Sequence, residues 1–186
     1  MTTTEFNNLP REEKAILVAK DIIEQIKIGR YIPNSGQYIS GVRSYNGNDF
    51  ELESELCDVF DEIKECKVCA LGATILSATH LGNRLKIEDL NINYGANVYR
   101  LKHKKVVGLL DSIFSDETLF LIESCFEGFV QGDDRYAVDV KGLDEDSFDG
   151  DILDACDDFK EKYKDTEDRL IAICNNIIAN GGEFKI

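Results

Sequence analysis

The stretch CKVCALGATILSATHLGNRL, residues 66–85, holds two cysteines three apart and, eleven residues after the second, one of only two histidines in the chain. Two readings compete for it. A Cys-x-x-Cys pair followed by a histidine is the raw material of a zinc or redox site. A run of small and apolar residues is the raw material of a buried helix. As one continuous helix, the stretch would place Cys66, Cys69, Ala73, Leu76 and His80 along a single face. His80 would then stand about 16 Å beyond Cys69, whereas zinc bonds are about 2.0–2.3 Å long. One ion cannot reach both. The second cysteine pair of a zinc ribbon is absent, Cys57 and Cys125 stand at spacings that match no familiar site, and no βαβ pattern of the thioredoxin kind surrounds the pair. The small residues Cys69, Ala70, Gly72, Ala73, Ser77 and Ala78 would let another helix backbone approach closely, with Leu71, Ile75, Leu76 and Leu81 filling the space around it. The stretch therefore predicts a core helix, and no metal ligand, catalytic residue or cofactor is assigned.

The 186 residues, 43% of them hydrophobic, suit one domain over residues 1–186. No apolar run approaches the roughly 18 residues that cross a bilayer. The start, MTTTEFNNLPREEK, lacks the basic and apolar regions of a secretory signal, so a cytoplasmic protein with no membrane partner is expected. Cys57, Cys66, Cys69, Cys125, Cys156 and Cys174 mostly sit in helical patterns, where reduced thiols behave as small apolar residues.

Helices are predicted on both sides of the opening stretch. Residues 10–28 begin with Pro10, Glu12 and Glu13, carry Ile16, Ala19, Ile22, Ile23 and Ile26 as a stripe, and end before Gly29. Residues 31–48 break that pattern with Pro33, Gly36, Gly41 and Asn46-Gly47; Tyr38, Ser40 and Val42 alternate as a short hairpin would. Helical spacing resumes through Leu52, Leu56, Val59, Phe60 and Ile63. Residues 87–99 predict a loop and 104–114 a short helix. Ser115 caps an apolar, central helix. Tyr136, Val138 and Val140 alternate as a strand. An acidic helix follows over 148–163 on Ile152, Ala155, Cys156 and Phe159. A final one is capped by Asp165 and Thr166, lined by Leu170, Cys174, Ile177 and Ile178, and ended by Gly181-Gly182. The fold class is mainly α, a single compact domain of about five to seven helices with a small β-hairpin or short strand element.

Charge is the strongest global signal. Net charge is −15 from 21 basic and 36 acidic residues, and residues 131–168 alone hold 15 acidic against 5 basic. Residues 84–105 hold 6 basic, Arg84, Lys86, Arg100, Lys102, Lys104 and Lys105, against Glu88 and Asp89. Such a balance disfavours direct binding to nucleic acid or an anionic membrane and favours a basic protein partner.

Other patterns carry less chemistry. A Cys125–His103 nucleophilic pair has no supporting signature, and His103 fits a solvated basic face, YRLKHKK, that could hold a phosphate, bind an acidic partner or pair with the chain's own acidic half. A calcium loop started at Glu145 gives Ser147, Asp149 and Gly150 in register but puts Cys156 where a bidentate glutamate belongs. Gly181-Gly182-Glu183-Phe184 spells the diguanylate cyclase signature, but here it follows a helix instead of joining two strands.

Cys66-x-x-Cys69-Ala70-Leu71-Gly72-Ala73, with the later FKEKYKDTEDRLIAICNNIIANGG, resembles an uncharacterised family of small helical proteins of bacteriophages and bacteria, typified by a Cys-x-Leu-Gly-Ala helix. The resemblance spans about half the chain, leaves out the acidic segment, and implies a fold and a phage-like origin but no activity.

Three classes of function follow. The first is a non-enzymatic acidic protein, phage-encoded, that inhibits a basic nucleic-acid-binding host protein, a host-defence protein for example, by nucleic-acid mimicry. Its partner-binding residues would be Asp144, Asp146, Asp149, Asp151, Asp154, Asp157 and Asp158. The second is a structural or assembly protein whose opposite charges join it into homo-oligomers. The third is a cysteine-containing metalloprotein or enzyme.

Overall fold

The computed structural model describes residues 3–44, 51, 53–82, 85–90, 104–127 and 150–186. These form a mainly α domain with one small sheet: α1 (Thr3–Asn7), α2 (Arg11–Lys27), β1 (Tyr31–Pro33), β2 (Ile39–Ser44), α3 (Leu56–Val59), a 3-10 turn (Phe60–Glu62), β3 (Ile63–Val68), α4 (Ala70–Leu81), a second 3-10 turn (Ile87–Leu90), α5 (Lys104–Asp111), α6 (Asp116–Glu127), α7 (Gly150–Lys162) and α8 (Thr166–Ala179). Described helices exceed the expected number because short ones, α1 and α3, join the long ones. No helix among the described residues is long and apolar enough to cross a membrane. The alternating stretch at Tyr136, Val138 and Val140 and the turn at Asn46-Gly47 lie outside the described residues.

α4 is the axis of the fold. Every residue from Ala70 to Thr79 is buried, and the helix meets α2, α3, α5 and α6. It is apolar all round, and its few hydroxyls are satisfied: Thr74 and Thr79 donate to the carbonyls of Ala70 and Ile75 one turn back, and Ser77 Oγ bonds the Tyr31 hydroxyl at 3.2 Å. The small residues do admit a close neighbour, but that neighbour is not a helix. At Gly72 a Cβ would stand 1.6 Å from the Tyr38 carbonyl oxygen, so the chain entering β2 lies directly on the α4 backbone.

The helix does not extend back to Cys66, as the sequence reading had it. Residues Ile63–Val68 are the middle strand of a sheet ordered β1-β3-β2, parallel to β1 (Tyr31 opposite Cys66) and antiparallel to β2 (Ile39 opposite Val68). Ile63, Cys66 and Val68 face inward while Lys64 and Lys67 face solvent. The turn at residues 34–38 closes no hairpin, because β3 occupies the place between β1 and β2. The helix expected through Leu52 to Ile63 shrinks to α3 and a 3-10 turn. Just before it the chain is extended against residues 85–87, where Leu56 N donates to Leu85 O and Ile87 N to Ser54 O.

Outer helices follow their end signals. At the end of α2, Arg30 N bonds Gln25 O and Gly29 N bonds Ile26 O, with Gly29 at φ 76°; at the end of α8, Gly182 N bonds Ile177 O and Gly181 N bonds Ile178 O, with Gly181 at φ 69°. Both are the paired bonds of a Schellman stop. Asp165 caps α8 through Glu167 N and Asp168 N, and Ser115 Oγ accepts from Thr118 N at the start of α6. The Gly-Gly-Glu-Phe run is structural: Gly182 lies against the Glu12 backbone and Phe184 is buried. Gly108 lies in α5 with nothing within 4 Å of where a Cβ would be. Gly108→Ala should therefore raise stability by about 0.5–1 kcal/mol in urea unfolding, by removing chain entropy alone.

Candidate functional site

The structure brings four of the seven predicted partner-binding residues together. Asp151, Asp154, Asp157 and Asp158 are all exposed on α7. Asp144, Asp146 and Asp149 lie outside the described residues, as do the first five residues of the calcium-like loop, whose remaining seven, Gly150 to Cys156, are helical in α7. The inward side of α7 is the predicted thin stripe: Cys156 is buried, Ile152, Ala155 and Phe159 are half-buried, and Phe159 meets the Phe184 ring edge-on at 5.7 Å. The helix's own lysines are engaged elsewhere, Lys160 Nζ on the Glu127 carbonyl at 2.8 Å and Lys162 over the Tyr163 ring. Among the described residues, Asp154, Asp157 and Asp158 make no ion pair, and Glu161 has only a surface contact with Lys164 at 3.8 Å.

Among the described residues, Lys86 and Lys105 of the basic stretch form ion pairs with their own neighbours and none with α7. Lys105 Nζ sits on the buried Asp89 carboxylate at 2.9 and 3.0 Å, and Lys86 reaches Glu88 at 3.4 Å. Both contacts stay within residues 84–105. Arg84, Arg100, Lys102 and His103 lie outside the described residues. Cys125, the thiol considered for His103, lies at the α6–α7 interface against Cys156.

A second constellation lies inside. Tyr38 OH donates to Glu123 Oε1 at 2.6 Å, and Gly36 N donates to Glu127 Oε2 at 2.8 Å, fastening the 34–38 turn to α6. Glu123 is 5% exposed, and its Oε2 has no hydrogen-bond partner among the described residues. Burial pushes the Glu123 carboxyl up to about 8, against the opposing pull of the Tyr38 bond. Burial likewise raises Glu127, and it raises the Cys69 thiol well above its ordinary value, with Glu127 adding to the effect. Cys69 is thus a buried, protonated thiol at the start of α4 and a poor nucleophile. Nearby, Arg169 donates to the carbonyls of Phe126, Tyr163 and Lys164 at 2.6, 2.8 and 3.0 Å, tying the end of α6 to the α7–α8 junction.

His80 belongs to a third group. Its Nδ1 lies 2.9 Å from Asp21 Oδ1, its ring stacks on Phe60 at 4.1 Å, and Gln25 donates to the same Asp21 oxygen. The contact with Asp21 and the stack on Phe60 together fix the orientation of the ring. The two hydroxyls just before His80 in sequence are fully buried and committed elsewhere, Thr79 to the Ile75 carbonyl and Ser77 to Tyr31. Cys66, the residue first grouped with His80, donates instead to the Arg30 carbonyl, and burial pushes its thiol up to about 12. Cys57 lies beside Glu55 and Asp58, with donor atoms within 4.8 Å of one another. Burial and then the Asp58 and Glu55 charges raise that thiol, so it serves as a hydrogen-bond donor to both carboxylates.

Sequence reasoning missed Asp21, Glu123 and Arg169. The available signal was a charged residue on the apolar side of a helix, Glu123 four after Leu119 and Asp21 beside Ile22. The chain gives no match to protein-family models, to curated proteins or to solved structures.

Proposed function

We propose that this chain is a non-enzymatic, phage-encoded acidic protein that acts in the host cytoplasm by occupying the nucleic-acid site of a basic host protein. The observation that carries this reading is the outward row of carboxylates on α7, backed by a net charge of −15. Asp151, Asp154, Asp157, Asp158 and Glu161 occupy ten residues of helical rise, about 15 Å at 1.5 Å per residue. That is one negative charge per roughly 3–4 Å, close to the ~3.4 Å per phosphate along one strand of duplex DNA. A basic groove built for phosphates would meet a similar line density of charge along this helix. Association of this kind is fast and weakens steeply with salt.

The test is capture from a bacterial lysate on the immobilised full chain, with elution by rising salt and competition by duplex DNA. A basic nucleic-acid-binding protein should be retained, should leave at moderate salt or on adding DNA, and should be lost with the variant Asp154→Lys/Asp157→Lys/Asp158→Lys. These side chains are exposed, so the variant should keep the wild-type circular dichroism and urea midpoint. Equal capture by wild type and variant, or recovery of this chain alone, would reject the reading. In the second case, sedimentation would report the homo-oligomer that an assembly protein forms.

A further inference from the structure

The six cysteines differ in access: five are buried, and Cys57 is half-buried. Cys57 stands in Glu55-Leu56-Cys57-Asp58, with its sulfur 3.7 Å from Glu55 Oε2 and 3.7 Å from Asp58 Oδ1. One donor atom from each of the three residues lies within 4.8 Å of the other two, and among the described residues no other three histidine, cysteine or carboxylate donors gather so closely. Glu55 and Cys57 are half-buried and Asp58 is exposed, so a hydrated ion reaches them without any opening of the fold.

Those separations are close to the edges of a zinc tetrahedron. With Zn–S about 2.3 Å and Zn–O about 2.0–2.2 Å, tetrahedral angles set S···O edges of about 3.5–3.6 Å and an O···O edge of about 3.3–3.6 Å. Both sulfur–oxygen edges are thus almost at length already. The donors also narrow the cation. Calcium and magnesium take oxygen ligands, whereas a thiolate beside two carboxylates suits a borderline ion such as zinc. The backbone holds the donors in place: Leu56 N donates to Leu85 O at 2.8 Å, Ile87 N to Ser54 O at 3.1 Å and Asp58 N to Glu55 O at 3.1 Å, and the flanking Leu56 and Phe60 are anchored in the core. Without a metal, one thiol proton is shared between two carboxylates. A divalent cation engages all three donors at once.

We propose that Glu55, Cys57 and Asp58 form a zinc site of the open kind, with three protein ligands and a fourth position for water. Cys57 binds as the thiolate, its proton passing to solvent as the metal enters, and each carboxylate gives one oxygen. No electron is transferred and no bond within the chain is broken. The site uses no residue of α7, so it stands whether or not the acidic row has a partner.

The test uses the reduced, chelator-treated full chain and cobalt(II) as a spectroscopic substitute for zinc. One equivalent should produce a thiolate-to-cobalt charge-transfer band in the near ultraviolet and the strong visible bands of four-coordinate cobalt, and zinc(II) should erase both. Cys57→Ser should lose the charge-transfer band. Glu55→Gln and Asp58→Asn should each weaken cobalt binding by about tenfold or more, at least what losing a supporting group around a metal costs. Zinc should also slow alkylation of Cys57 by iodoacetamide, read by peptide mapping of the wild-type chain, whose other five cysteines are buried. No charge-transfer band, a band that survives Cys57→Ser, full affinity in both carboxylate variants, or alkylation unaffected by zinc would overturn the proposal. The wild-type alkylation map decides the matter even if a variant folds poorly.

Discussion

Gly72→Ala should destabilise the protein by about 3–5 kcal/mol, the largest effect expected of any single methyl added to it. The added Cβ would stand 1.6 Å from the Tyr38 oxygen and 2.5 Å from the Tyr38 carbonyl carbon. Both are backbone atoms, so no rotamer change relieves the clash. The chain on one side is the body of α4, and on the other it is the start of β2, where Cys69 N also donates to Tyr38 O at 3.1 Å. The segments must part, and the Tyr38–Glu123 and Gly36–Glu127 bonds go with them. With a total stability of about 5–15 kcal/mol for an ordinary domain, much of the folded population is at stake. The urea midpoint should fall by about 1.5–2.5 M at an unchanged slope near 2 kcal/mol/M. A midpoint within about 0.3 M of wild type would mean that β2 does not rest on α4 as described.

Glu123 should make stability fall as pH rises through the neutral range. Its carboxyl titrates near 8 in the folded chain against an ordinary value of 4.5. Between those values the folded state holds a proton that the unfolded state has released, so the contribution is complete below pH 4.5 and lost as pH approaches 8. A difference of that size corresponds to about 5 kcal/mol. Glu123→Gln keeps an acceptor for Tyr38 and carries no charge at any pH. The variant should therefore be flatter in stability between pH 5 and pH 8.5, and more stable than wild type at the upper end. Urea unfolding across that range checks it, and parallel curves for the two proteins would show that Glu123 does not ionise on its own in the fold. The global charge of −15 also disfavours high pH, but it acts on both proteins almost alike.

The elements that could be read from sequence are those whose local signals agree. α2 has Pro10 and two glutamates at its start, a regular apolar stripe and Gly29 at its end; α8 has Asp165 and Gly181-Gly182. Residues 63–69 lacked such agreement. Ile63, Cys66 and Val68 are spaced by three and two, which suits a helix and a strand equally, and what makes them a strand is pairing with Tyr31–Pro33 and Ile39–Ser44, far away in the chain. The start of α4 also lacks a polar N-cap residue, since Cys69 holds that place without a side-chain bond. The acidic ridge was legible because exposure follows from charge and helical spacing. The Tyr38–Glu123–Glu127 group was not, because it joins a turn to a helix some 85 residues on, and no periodicity reports such a meeting.

The order β1-β3-β2 also constrains when the sheet can exist. The strand that both neighbours require is the last of the three to be synthesised, so a nascent chain that has exposed β1 and β2 holds two ribbons with no described partner for either. Only when Val68 has cleared the ribosome can the sheet close, in one step and around a central insertion. Gly72 follows four residues later and gives Tyr38 its seat. Translation speed across residues 44–72 therefore bears on yield: a pause there would prolong the life of two open edges, the state most prone to pairing with another chain.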